Sequence, residues 1–327
     1  MLRLLLVALL AWSLAACGST PSTEPALVTV VAPLAPLAVL TSAIGLGPVA
    51  ATATVALGPL DLAAPRELPR GGRTIFPTYQ VIAHYGTATT AVLGVLGEGT
   101  PEQAGRNLLA AAEPFGKASG RRILPAFELI VSVAQRSPGD DGDYSAYLPD
   151  ADIERYLAAA RRIKALVLLD LQPGLADPLV QAQHFEKFLR EPDVGLAVDP
   201  EWKLYGDQKP GRQIGTLDAA SVNRVSAWLA ELTTTLDLPE KLFVLHQFQR
   251  RMLPDRDAIV VRPGLATVVH VDGFGTRGGK LDTYAALADT TGRLRNGFKL
   301  FLDEDVDLLS PTEVMAVRPR PELITYQ

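Results

Sequence analysis

The chain has 327 residues, of which 48% are hydrophobic and 20% charged, and its formal net charge is −5 at neutral pH. No run of five basic residues occurs, so the electrostatic footprint of a nucleic-acid binder is missing. Cys17 is the single cysteine, which excludes an internal disulfide framework and a thiolate metal cluster; stability has to come from a hydrophobic core.

In chain order, Arg3 precedes an apolar run from Leu4 to Trp12, and the small residues Ser13, Ala15 and Ala16 lead to Cys17. Charge, apolar stretch and small residues together have the layout of a secretory signal, too short to span a bilayer. The string LAAC at residues 14–17 resembles the bacterial lipobox. That resemblance implies lipidation of Cys17 and an extracytoplasmic protein held on the cell membrane by a lipid anchor. Two acyl chains suffice for this where one holds weakly.

Residues 18–73 read as a low-complexity tether. GSTPSTEP is polar, and residues 25–60 carry no charge and are interrupted by Pro33, Pro36, Pro48 and Pro59. The expected organisation is therefore a signal at 1–17, a tether at 18–73 and one folded domain at 74–327.

Within that domain, short β-branched apolar runs alternate with amphipathic stretches. Strands are expected at residues 81–85, 124–131, 165–171, 194–199, 242–248, 266–272, 297–303 and 322–327, and helices at 101–115, 150–164, 178–190, 219–236 and 280–288. Eight strands joined mostly by helices fit a single (β/α)8 TIM-barrel-like domain of the α/β class, irregular at its C-terminal end. A doubly wound sheet is the alternative, but no glycine-rich nucleotide loop follows any strand.

The strand ends carry the chemistry. His84, Glu128, Asp170, Asp199 with Glu201, His246, His270 with Asp272, and Lys299 all fall where apolar runs stop. In a barrel such groups converge on the mouth. AVDPEW at 197–202 stands out: if the strand continues through Pro200, Asp199 and Glu201 share a face and crowd each other, so that one stays protonated beside an ionised partner. Glycosidic cleavage uses such a pair. Trp202 and Tyr205 are placed to stack on a sugar. Glu201, Asp199 and Asp170 are the expected catalytic groups; Glu128, Trp202, His84, His246, His270, Asp272 and Lys299 are expected to bind substrate.

A metal-dependent hydrolase using His84, His246 and His270 is the competing reading, with Asp272, Glu201 or Asp199 as further ligands. The expectation is nevertheless no metal and no cofactor, since neither H-x-H on the first strand nor H-E-x-x-H occurs. No G-x-S-x-G supports a serine hydrolase. SPGDDGDYSAY at 137–147 reads as a solvated loop rather than a calcium loop.

The segments VLLDLQPG, REPDVGLAVDPEW, FVLHQF, DGFG and MAVRPRPELITYQ resemble an uncharacterised family of secreted bacterial proteins and lipoproteins, chiefly actinobacterial, over residues 79–327. More loosely, the D-x-E of the fourth strand is similar to that of the family 25 lysozymes and the chitinases. That likeness implies Glu201 as general acid and Asp199 as its partner. The sequence departs from both patterns: His84 stands where family 25 has an aspartate, and the longer chitinase D-x-x-D-x-D-x-E run is absent. The expected function is a glycoside hydrolase-like monomer acting on a cell-envelope or extracellular polysaccharide. The alternative is a non-catalytic glycan-binding barrel.

Overall fold

The computed structural model describes residues 66–327. The expected signal, Cys17 and the expected tether up to residue 65 lie outside the described residues. No helix among those described is long and apolar enough to cross a membrane.

Nine strands are formed among the described residues: β1 (Tyr79–Gly86), β2 (Arg122–Ala134), β3 (Ser145–Tyr147), β4 (Leu166–Leu171), β5 (Val194–Val198), β6 (Lys241–Gln247), β7 (Leu265–Val271), β8 (Arg295–Leu300) and β9 (Leu323–Tyr326). Eight of them pair in parallel in the order β1-β9-β8-β7-β6-β5-β4-β2, and β1 pairs with β2, closing a (β/α)8 barrel. Every residue of β1, β4, β5, β6, β7 and β9 is buried, because inward residues fill the barrel while outward ones meet helices.

Among the described residues seven α-helices surround the strands: α1 (Pro101–Ser119), α2 (Asp150–Arg162), α3 (Pro178–His184), α4 (Glu186–Leu189), α5 (Ala219–Thr235), α6 (Arg277–Leu287) and α7 (Pro311–Ala316). In α1 the Thr100 side chain caps the first turn and Gly120 closes the last in a left-handed conformation, while Ala104, Leu108, Ala112 and Phe115 make the stripe that faces the strands. All eight expected barrel strands and five expected helical stretches are present, the 178–190 stretch being divided into α3 and α4. The expected lack of a helix before the last strand is corrected by α7: Ser310 and Glu313 form a reciprocal capping box that stabilises a short helix without a long amphipathic pattern. The expected solvated loop at 137–147 ends in β3, which pairs antiparallel with the extension of β2 beyond a register shift at Ile130 and Ser132.

The boundary at residue 73 also moves. Leu68 is buried with Ile75, Phe76 and Tyr79 in the cluster that fills the barrel interior. Arg70 donates to the carbonyls of Ile123, Ile163 and Lys164 at 3.1–3.2 Å, and the Tyr79 hydroxyl reaches the carbonyls of Arg70 and Gly71 at 2.7 Å. Residues 66–73 thus belong to the folded domain, tied to it through backbone carbonyls that no apolar pattern reveals.

Candidate active site

The barrel interior has two parts. Tyr79, Val81, Ala83, Leu124, Ala126, Leu166, Leu168, Ala197, Leu242, Val244, Ala266, Val268 and Leu323 form one apolar cluster. One step of two residues further along the same strands, the inward positions become Tyr85, Glu128, Asp170, Asp199, His246, His270, Lys299 and Thr325. The pairings Tyr85 with Glu128, His246 with His270 and Lys299 with Thr325 place these residues at neighbouring heights.

His246 is the hub. Its Nε2 lies 2.9 Å from Glu128 Oε1 and its Nδ1 2.8 Å from Asp272 Oδ2. The Thr325 hydroxyl donates to Glu128 Oε2 at 3.0 Å, and the Tyr85 hydroxyl donates to Asp170 Oδ2 at 2.9 Å. Asp170 Oδ1 is 3.9 Å from His246 Nε2. Lys299 Nζ sits 3.5 Å from the centre of the Tyr85 ring. His270 packs edge-on against His246, with ring centres 5.1 Å apart. Gly297 is required there: a Cβ on it would lie 2.3 Å from His270 Nδ1.

Burial and charge divide the titratable groups. Burial opposes ionisation of Glu128, but the His246 imidazolium beside it holds the carboxyl down at about 2. Asp272 is likewise held below its ordinary value by its hydrogen bond and charge contact with His246, against burial. His246 is raised well above the ordinary imidazole range because Glu128 and Asp272 outweigh its burial. His270, buried without a hydrogen-bond partner, is pushed down to about 3. Three carboxyls move the other way. Burial lifts Asp170 to about 6; burial, with Asp272 and Asp170 nearby, lifts Asp199 to about 7; burial, with Asp199 and Asp272, lifts Glu201 to about 8.

Several sequence expectations change. The strand does not run through Pro200: β5 ends at Val198, and Asp199 accepts the Glu201 amide at 3.0 Å, capping a short 3-10 turn of Pro200–Trp202. Asp199 and Glu201 still influence each other electrostatically, but as cap and turn rather than as one strand face. The barrel is closely packed beneath this turn, since a Cβ on Gly195 would meet Leu168 Cδ2 at 2.7 Å. His84 does not join the mouth. It alternates with the inward Tyr85 and lies edge-on to Tyr326, which contacts Phe115 of α1; burial there lowers it to about 4. The three-histidine metal arrangement therefore does not form, and among the described residues no three His, Cys, Asp or Glu side chains are grouped to hold a metal ion. Glu128, Asp170, His246 and His270 are fully buried, and Asp199, Asp272 and Lys299 nearly so; Glu201 and Trp202 are half-buried.

Sequence reasoning missed Tyr85 and Thr325. Strand parity gives both, counting in twos from Tyr79 and from Leu323, whereas selection by residue type chose His84.

No protein-family model matches the sequence, and no curated protein matches it. Similar solved structures include two of the β-glucuronidase of Parabacteroides merdae. One, with glycerol in its active site, is 12% identical over 75% of this chain and 31% of that chain, with a TM-score of 0.37. Another is 11% identical over 75% of this chain and 33% of that chain, with a TM-score of 0.35. The chain thus spans about a third of the length of these enzymes.

Proposed function

We propose that this chain is a lipid-anchored, extracytoplasmic, monomeric glycoside hydrolase-like protein that acts on a cell-envelope or extracellular polysaccharide, with Glu201 as proton donor. The observation that carries the reading is the position and state of Glu201. It is half-buried at the end of the polar interior, with a carboxyl kept neutral up to about pH 8 by burial and by Asp199 and Asp272. A carboxylic acid that still holds its proton at neutral pH can deliver it to a glycosidic oxygen. Asp170, raised to about 6 and with Oδ1 unpaired, is ionised at neutral pH and supplies the negative charge that an oxocarbenium-like transition state needs. The Tyr85 hydroxyl holds Asp170 in place, the Glu201 amide holds Asp199, and no cofactor enters the reaction.

A positioned acid contributes roughly 10² to 10⁴-fold in rate. The test is to present the full chain with peptidoglycan, chitin-type and other envelope polysaccharides, comparing Glu201→Gln with the parent. The parent should release sugars with a rate that falls as pH rises through about 8, where Glu201 loses its proton, and as pH drops below about 6, where Asp170 gains one. Turnover that survives Glu201→Gln refutes the assignment. The anchor, and with it the likeness to secreted actinobacterial proteins, is tested by Cys17→Ser, which should release the protein from membranes.

A second reading has its own support. Glu128 and Asp272 both hydrogen-bond His246 inside the barrel, and the polar interior is almost fully buried. A non-catalytic glycan-binding barrel with a structural polar interior fits that closure. It predicts binding without release of sugar, and Glu201→Gln would then weaken affinity modestly.

A further inference from the structure

We propose that Lys280 and Asp305, which lie outside the cluster described above, form a positioning pair that sets Asp272 against His246 and Lys299 over Tyr85. Lys280 is in the first turn of α6, and Asp305 is in the loop between β8 and α7. Their side chains meet at 3.0 Å and are 4% and 1% exposed. The ammonium uses all three of its donors: Asp305 Oδ2, the Gly273 carbonyl at 2.8 Å and the Lys299 carbonyl at 2.8 Å. Asp305 in turn accepts the Phe301 amide at 2.8 Å and the Gly275 amide at 3.1 Å. One buried ion pair thereby grips the chain just past β7 and again at the end of β8. Gly273 follows Asp272 directly, and the Lys299 carbonyl belongs to the residue whose ammonium stands over Tyr85.

The location argues against a role in helix stability. A cation in the first turn of a helix opposes the helix dipole, and a buried cation loses its hydration. Lys280 is held there by carbonyls of the two strand ends, so its grip acts on those ends. The inference concerns the same site as the glycosidase reading, but its readout requires no turnover.

The test follows the His246 Nδ1–H···Asp272 proton by NMR in the full chain with ¹⁵N-labelled histidine. Lys280→Met and Asp305→Asn should shift or abolish this signal, while Lys280→Arg, which keeps the charge and its donors, should retain it. The control is Lys241→Met. Lys241 is another buried lysine, bonded to the carbonyls of Glu191 and Val194 at the opening residue of β6. Its loss should lower the melting temperature without moving the His246 signal. If Lys280→Met does not fold, Asp305→Asn and Lys280→Arg decide. The proposal is overturned if the signal stays in place in Asp305→Asn, or if Lys241→Met moves it as far as the pair variants do. Glycan turnover, present or absent, alters neither outcome.

Discussion

The amino half and the carboxyl half of the barrel interior are built on the same strands and obey different physics. In the lower half, Val81, Leu124, Leu168, Leu242 and Val268 exclude water, and each large side chain contributes on the order of 1.5–3 kcal/mol by its burial. In the upper half, Glu128, Asp170, Asp199, His246, Asp272 and Lys299 are buried just as deeply, and burial there opposes every charge. The upper half is tolerated because His246 lies between two carboxylates and because Asp199 and Glu201 hold their protons up to about pH 7 and 8. Stability resides below, and the buried charges are held above at a cost the lower layer offsets.

The sharpest way to break this contrast is to remove the hub. His246→Ala leaves Glu128 and Asp272 as buried carboxylates without their partner, which should cost about 3–5 kcal/mol at neutral pH. Without the imidazolium both carboxyls rise above their unfolded values. The loss should therefore shrink as pH falls and they take up protons, which urea denaturation at several pH values would reveal. Leu168→Ala in the lower half should cost about 2–5 kcal/mol through the cavity left beside Gly195, with no such pH dependence. If the two variants respond alike to pH, the upper half is not electrostatically distinct.

The parent protein should also lose stability as pH rises from 6.5 to 8. A carboxyl raised above its unfolded value contributes stability at low pH that is lost as pH passes its folded value. For Asp170, Asp199 and Glu201 these values are about 6, 7 and 8. His246, also raised, acts in the same direction above 6.5. His84 and His270, buried neutral at about 4 and 3, push the other way, but only below 6.5, where the unfolded imidazoles bind protons. The range from 6.5 to 8 is thus where the shifted carboxyls and histidines agree in sign, opposed above about 7 by Lys241, which burial lowers to about 7. The double variant Asp199→Asn/Glu201→Gln should flatten the slope there, measured as the denaturation midpoint against pH.

Short continuous runs of apolar, β-branched residues made the barrel legible in the sequence, since a strand buried on both faces leaves little freedom in composition. The polar strand ends were legible for the same reason: Glu128, Asp170 and His246 interrupt runs that otherwise exclude charge. What could not be read was which face each polar residue takes and who meets whom across the barrel. His84 and Tyr85 are adjacent and both end the first strand, yet only Tyr85 points inward, toward Asp170. The D-x-E spacing suggested one strand face, whereas the proline ends β5 and turns Asp199 into a cap. The seating of residues 66–73 and the grip of Lys280 both depend on backbone carbonyls distant in sequence, which no local pattern encodes.

The smallest expected effect on stability is at the residue with the largest proposed effect on chemistry. Glu201 is half-buried, and its carboxyl remains protonated until about pH 8. At pH 7 Glu201→Gln therefore exchanges one neutral group for another of similar shape, and no buried partner is stranded, because the turn is capped by the Asp199 carboxylate accepting the Glu201 backbone amide. The change in stability should stay within about 0.5 kcal/mol, the ordinary range for a substitution that removes no packed or paired group. Above pH 8 the sign should favour the variant, since the parent alone must then place a carboxylate beside Asp199 and Asp272. A loss of several kcal/mol at pH 7 would mean that Glu201 is ionised and paired in the folded protein, and it could not then serve as the acid. Little change at pH 7, with a crossover near pH 8, would place Glu201 with the protonated groups of the upper interior, the state that proton donation requires.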